Sequence, residues 1–282
     1  FHAFSETELM MRLVSGAEVR ELLDWPSTIG ALEEIFRTAC TAPVRHHHAV
    51  PVAGEPAATL LLMPAWTSEF LGVKIANVVP GNGRRDMPAV MATYLLSSAR
   101  TGLPLALVDG GELTARRTAG ASALAAKYLA REDARRLLVV GTGRVAANLV
   151  HAHSAIRPIE EVRVWGRNRA NAGKLVEALK AEGFRAVPAG DLAAEVAAAD
   201  IVSCATLSTT PLVRGEWLSE GAHLDLVGGF TPTMREAEPG GLVALDGDQL
   251  RFLSLLAGLE AHSEHHSAAA IRQEAVSRGV EP

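Results

Sequence analysis

Gly141-Thr142-Gly143-Arg144-Val145-Ala146 is the segment of this sequence that most clearly points to chemistry. Four apolar residues, 137–140, run straight into it. Residues 145–156 follow without Gly or Pro and carry apolar side chains at helical spacing. Buried parallel strand, tight turn and helix together form the setting in which a G-x-G-x-x-G/A string holds a pyrophosphate. Gly141 permits the turn. Gly143 lets the backbone approach phosphates whose charge lies on the helix N-terminus, and Ala146 is small enough for helix and strand to pack closely. Thr142, Arg144 and Val145 belong to the same turn, so a dinucleotide is the predicted ligand.

The next strand decides which dinucleotide. Val162-Arg163-Val164-Trp165 alternates and ends in Gly166-Arg167-Asn168-Arg169. An NAD site usually carries an acid about 20 residues after the glycines, on the ribose 2′-hydroxyl. Here Arg167 and Asn168 stand instead, and a guanidinium forks onto a 2′-phosphate that a carboxylate would repel. The pattern favours NADP(H), with NAD(H) as the alternative; the bland reading of Arg167 and Arg169 is a solvated turn. Two later strand ends complete the expected cofactor contacts. Residues 201–204 run into Ala205-Thr206-Leu207, and residues 224–226 run into Val227-Gly228-Gly229-Phe230. Ligands of open α/β sheets sit at such carboxyl ends, although ordinary turn chemistry also favours small polar residues there.

A second set of residues is cationic. Lys74 interrupts the apolar run Leu71-Gly72-Val73-Lys74-Ile75-Ala76. Half burial lowers a lysine pKa and suits it to act as an acid or to polarise an imine; a snorkelling edge-strand lysine fits the pattern equally well. Arg45 lies in a loop after Pro43-Val44, and Arg116-Arg117-Thr118 sits in an Ala-rich helical stretch. Arginines facing a cleft clamp carboxylates. The histidines suggest less. His46-His47-His48 lacks metal spacing and reads as a loop, and His262, Glu264, His265 and His266 lack an H-E-x-x-H companion, so no metal is expected. Asp109 and Asp225 are acids without a carboxylate partner nearby in sequence. No G-x-S-x-G supports a hydrolase.

These residues must be positioned by two kinds of element. Ser5-Glu6-Thr7-Glu8 and Ser15-Gly16-Ala17-Glu18 read as capping boxes of short helices, and Pro26 opens a third with Ile29, Leu32, Ile35 and Phe36 on one face. Strands are predicted at 59–63, 71–77, 90–97 and 103–108, the last two forming a hairpin around Thr101-Gly102, with Pro64 and Gly72 as punctuation. Helix follows over 112–130, then alternating strands and helices to about residue 246. The expected class is α/β: a Rossmann-type doubly wound parallel sheet over 121–251, after an α+β unit with an antiparallel sheet over 1–120, the tail 252–282 packing back on the latter. The 282 residues allow two domains. A net charge of −5 without a basic run argues against nucleic acid, and the absence of a long apolar stretch argues against a membrane span. Two cysteines, Cys40 and Cys204, far apart in sequence, fit a reducing, cytoplasmic setting.

Several strings together resemble the ornithine cyclodeaminase/μ-crystallin family. They are Gly72-Val73-Lys74-Ile75 with Pro80-Gly81-Asn82, Leu113-Thr114-Ala115-Arg116-Arg117-Thr118-Ala119, and Gly141-x-Gly143. Later in the chain come Ala205-Thr206-Leu207-Ser208-Thr209-x-Pro211-Leu212 and Val227-Gly228-Gly229-Phe230-Thr231-Pro232-x-Met234-Arg235-Glu236. The resemblance implies a homodimer with a substrate and dimerisation domain and a Rossmann domain. It implies that Arg45 and Arg117 bind the substrate carboxylate, that Lys74 polarises or protonates an imine, and that Arg117 and Thr118 stand beside the cofactor. The cyclodeaminase branch carries a Glu where Leu61 stands and an Asp where Phe230 stands. This chain is similar instead to the branch that reduces cyclic ketimines such as Δ1-pyrroline-2-carboxylate. After Glu238 the family's pattern is matched poorly. The implied activity is NAD(P)H-dependent reduction of a small cyclic imino acid. A cyclodeaminase converting ornithine to proline and ammonia, and a non-catalytic NADPH-binding protein of the μ-crystallin type, are the alternatives.

Overall fold

The computed structural model describes residues 11–38, 40–85, 87–229 and 233–238. The chain divides into two compact units that part between Leu124 and Ala125.

In the second unit, burial follows the sequence closely. Five parallel strands, β7 (Arg136–Val140), β8 (Glu161–Trp165), β9 (Ala186–Pro188), β10 (Ile201–Cys204) and β11 (His223–Leu226), lie in the order β11-β10-β7-β8-β9. Between them run α4 (Arg144–Ser154), α5 (Arg169–Ala181) and α6 (Leu192–Ala198). This is the doubly wound α/β arrangement, whose crossovers cover both sheet faces. Leu137 and Val139 enter one apolar cluster with Val150, Val164 and Val176, while Leu138 and Val140 enter the opposite one with Val196 and Val202. All four residues of Leu137-Leu138-Val139-Val140 are at most 1% exposed. At roughly 1.5–3 kcal/mol for each side chain fully buried, this strand anchors the sheet irrespective of local propensity.

In the first unit, β1 (Arg12–Val14), β2 (His46–Val50), β3 (Ala58–Trp66), β4 (Phe70–Val78), β5 (Val90–Ser98) and β6 (Pro104–Asp109) form a sheet ordered β1-β6-β5-β4-β3-β2. The pairs from β2 to β6 are antiparallel, and β1 joins β6 in parallel. Gly102, at φ +74°, turns the chain between β5 and β6. Three helices complete the unit's elements: α1 (Gly16–Leu22), α2 (Trp25–Arg37) and α3 (Gly110–Leu129), the last extending past Leu124. Ser15 and Glu18 form the predicted capping box of α1. Gly120 of α3 meets Leu32 and Thr28 of α2 so closely that a β-carbon would lie 2.9 Å from Leu32 Cδ1. The Ala- and Gly-rich face is thus used for close helix packing.

Several expectations are corrected. Residues 12–14 are strand, not helix, because Ser15 is already the extended N-cap of α1 and the preceding backbone pairs with Ala106, Leu107 and Val108. His46, His47 and His48 are not a loop: they begin the edge strand β2, where pairing with Leu62, Leu61 and Leu60 decides conformation and the side chains stay exposed. Pro64 and Gly72 do not punctuate their strands. β3 has left β2 beyond Leu62, so a residue lacking an N–H is tolerated there. Phe36 does not join Ile29 on the buried face of α2, being 73% exposed. The box at Ser5, the last part of the alternating pattern towards residue 246, Phe230, the histidines from His262 to His266 and the tail 252–282 lie outside the described residues.

Candidate active site

The register of the first sheet builds one end of the site. Met63 of β3, Lys74 of β4 and Tyr94 of β5 stand directly opposite one another. Directly paired residues of antiparallel strands project to the same face, so their side chains are neighbours. Lys74 and Tyr94 line a cavity of about 260 Å³ with Gly110, Leu113, Thr114 and Arg117 of α3. Half burial pushes the Lys74 ammonium down to about 8, and the positive charges of Arg117 and then Arg45 push the same way. Arg45 is exposed in the loop before β2, yet close enough to act on Lys74. Lys74, Arg117 and Arg45, named from the sequence, are therefore electrostatic neighbours, on elements some 30 residues or more apart.

Arg116 and Arg117 are adjacent but serve different surroundings. Arg116 is 7% exposed, stacks 4.3 Å from the Trp25 ring centroid, and donates through Nε to the Leu23 carbonyl at 2.8 Å. It ties α3 to the junction of α1 and α2. Arg117, one residue on and about 100° around the helix, faces the cavity instead. Leu61 shares the face of Met63, being two residues along β3, and is paired with Ala76. No carboxylate lines the described cavity wall.

The second unit carries the glycine turn. Gly141 adopts φ +137°, a region that favours glycine, and a β-carbon there would lie 2.5 Å from the Ala205 carbonyl oxygen. Gly143 is the N-cap of α4 with no side-chain cap, and a β-carbon on it would meet nothing within 4 Å. The first N–H groups of α4 therefore face open space beside a bare backbone, the arrangement that receives a phosphate. Ala146 is fully buried beneath the turn. Thr142 packs against Gly166, where a β-carbon would lie 2.5 Å from Thr142 Cγ2, bringing the ends of β7 and β8 together. Arg144, Arg167 and Arg169 are exposed, and the Asn168 side chain caps α5, accepting from the N–H groups of Ala170 and Asn171. Ala205, Thr206, Val227 and Gly228 are half-buried at the ends of β10 and β11, whereas Leu207 is 66% exposed. Thr118 is half-buried on α3, and Val145 half-buried on α4. The residues around the turn fit a dinucleotide.

Two functional candidates escaped the sequence reading. Tyr94 enters the cavity because Gly72, diagonal to it across β4, leaves space: a β-carbon there would lie 1.7 Å from the Tyr94 hydroxyl oxygen. The glycine inside a strand was the available signal. Glu236 is 4% exposed and accepts hydrogen bonds from both strand-end loops; nothing in its local sequence marks it as buried. Among the described residues, no three His, Cys, Asp or Glu gather as metal ligands, and no helix is long and apolar enough to cross a membrane.

A doubly wound unit with an uncapped glycine turn, preceded by an α+β unit whose cavity is lined by a lysine and an arginine, defines an α/β protein of the dinucleotide-binding class. The chain belongs to the ornithine cyclodeaminase/mu-crystallin family, which it matches over residues 7–243. It is 45% identical over 225 residues to an uncharacterized protein of Schizosaccharomyces pombe, covering 77% of this chain and 68% of that one. It is 36% identical over 234 residues to a Delta(1)-pyrroline-2-carboxylate reductase of Colwellia psychrerythraea, covering 81% and 73%. Among solved structures, the Delta(1)-pyrroline-2-carboxylate reductase of Thermococcus litoralis, in complex with NADH and L-proline, superposes with a TM-score of 0.75 at 31% identity. That match covers 82% of this chain and 73% of the other.

Proposed function

We propose that this chain is an NAD(P)H-dependent ketimine reductase acting on a small cyclic imino acid such as Δ1-pyrroline-2-carboxylate. The observation that carries this reading is the cavity itself, where a lysine of depressed pKa and an arginine share apolar walls with no carboxylate among them. Arg117 and Arg45 hold the substrate carboxylate, and fixing its orientation accounts for much of the rate. Lys74 delivers its proton to the imine nitrogen. A group near pKa 8 is a far better acid at neutral pH than an ordinary lysine. The dinucleotide, when bound, supplies the hydride for the imine carbon. Leu61 and Met63, on the Lys74 face, suit an uncharged ring; a free δ-ammonium without a partner costs several kcal/mol to bury there. The reductases named above from C. psychrerythraea and T. litoralis support the same reading.

NADP(H) is the proposed cofactor, since Arg167 is exposed at the end of β8 where an acid would select NAD(H). The test is NADPH and NADH oxidation with pyrroline- and piperideine-2-carboxylate, beside ammonia release from ornithine with NAD. Turnover of an imino acid without ammonia is expected, as is tighter NADPH binding that Arg167→Asp inverts. Ammonia and proline from ornithine would overturn the reductase reading. Tighter NADH binding by the unaltered chain would overturn the cofactor assignment alone. Dinucleotide binding without turnover of any of these substrates would favour the non-catalytic reading.

The chain acts as a homodimer through its first unit, whose sheet exposes Val50, Trp66, Phe70, Val90 and Met91. Exposed apolar side chains in such number on one unit are covered when a partner of similar character packs against it. Light scattering should give twice the chain mass, and a monomer at micromolar concentration would refute this. The two free thiols, Cys40 and Cys204, fit the cytoplasm as the compartment.

A further inference from the structure

We infer that Glu236 is a positioning residue for the dinucleotide site: its carboxylate clamps the loops at the ends of β10 and β11 into one fixed arrangement. The inference rests on the reading of these loops as cofactor-facing. One oxygen, Oε1, accepts from the Thr206 backbone N–H at 2.6 Å and from the Thr206 hydroxyl at 2.7 Å; the other, Oε2, accepts from the Gly228 N–H at 2.7 Å. The two loops are thus joined through a single side chain that is 4% exposed.

The surroundings leave little freedom. A β-carbon on Gly228 would lie 2.0 Å from the Thr206 carbonyl oxygen and 2.7 Å from Glu236 Oε1, so the loops are already in backbone contact. Glu236 is itself held in place. Its carbonyl accepts from the N–H groups of Leu212 and Val213, Ala237 bridges to Val213, and the Arg235 N–H donates to the Ser208 carbonyl. All three loop donors, the Thr206 N–H and hydroxyl and the Gly228 N–H, are thereby satisfied by one side chain. Pre-organised loops of this kind spare a ligand the cost of ordering them on binding. A carboxylate beside a phosphate-bearing ligand would ordinarily repel it; this one is turned inward, with both oxygens accepting hydrogen bonds from the loops. Burial raises its pKa above the ordinary carboxylate value, and the Asp225 charge adds to this, although the three donors pull the other way.

The test is Glu236→Gln. The amide keeps the shape, but in either orientation its NH2 faces a backbone N–H, Gly228's or Thr206's, and that donor loses its acceptor. The Kd for NADPH and for NADH, measured by fluorescence well below the unfolding midpoint, should rise at least about 10-fold. Thr206→Val removes only the hydroxyl and should weaken binding by a smaller factor, with little added effect in the Glu236→Gln background. If Glu236→Gln lowers the unfolding midpoint but leaves both Kd values unchanged, Glu236 is a strut and the inference falls. If Glu236→Gln does not fold, Thr206→Val decides: unchanged Kd overturns the clamp. Failure of the unaltered chain to bind either dinucleotide would remove the functional reading and this inference with it, an outcome distinct from normal binding by all variants.

Discussion

Lys74→Ala should lower kcat for imino-acid reduction by about 10²-fold or more while leaving dinucleotide binding and the unfolding midpoint near those of the unaltered chain. The ammonium is the titratable group placed in the cavity with a pKa of about 8, and the first cause of that depression is burial rather than a partner that its removal would strand. Loss of the side chain therefore removes a proton donor without leaving an unpaired charge behind. The pH dependence follows from the sign of the shift. The protonated lysine is the active form, so kcat/KM, which reports the free enzyme, should fall as pH rises through about 8. In Lys74→Ala that limb should vanish, and a limb that persists belongs to the substrate. Near-normal kcat with only a raised KM would show Lys74 to be a uniform binding group, and the proton would have to come from elsewhere, with Tyr94 the nearest candidate in the cavity.

Gly141→Ala should weaken dinucleotide binding by about 10²-fold or more. Two independent penalties act at that position. A φ of +137° costs an alanine of the order of 1–3 kcal/mol, and its β-carbon would lie 2.5 Å from the Ala205 carbonyl oxygen, a backbone atom that cannot step aside cheaply. The turn must move, and with it the N-terminus of α4. The unfolding midpoint should fall as well, because β7 and β10 are hydrogen-bonded neighbours at this point. Gly143→Ala separates stability from binding. Its β-carbon meets nothing within 4 Å and φ is −84°, so the unliganded chain should be as stable as before. Binding should nevertheless drop, because that space is where the pyrophosphate approaches the backbone. Unchanged affinity in Gly143→Ala would mean that the phosphates lie elsewhere.

These two sites differ in how they could be found. The dinucleotide unit is legible residue by residue: Leu137-Leu138-Val139-Val140 is buried on both faces, so the strand is apolar throughout, and the glycine turn and helix start follow within ten residues. Such signals are local, and the alternation of β7, α4, β8 and α5 repeats them. The first unit is less legible because edge strands owe their conformation to partners. His46, His47 and His48 carry no strand pattern, yet pairing with β3 extends them; Arg12, Leu13 and Val14 are strand because β6 accepts them.

What the sequence determined by itself, then, is the class of each unit, the identity of the phosphate turn, the capping box at Ser15, and the types of residue available for catalysis. Composition and spacing carry these because each depends on contacts within one or two turns of chain. The tertiary structure decided which of those residues meet. It turned Arg116 onto Trp25 and Arg117 into the cavity, although the two are adjacent in sequence. It set Tyr94 opposite Lys74 and gave its ring room over Gly72 through a register that no local pattern encodes. It also buried Glu236 between loops that begin some 30 and 8 residues before it. In each case the deciding quantity is a long-range pairing, set by the packing of whole sheets, so the side chain's role is fixed only once the chain has closed around it.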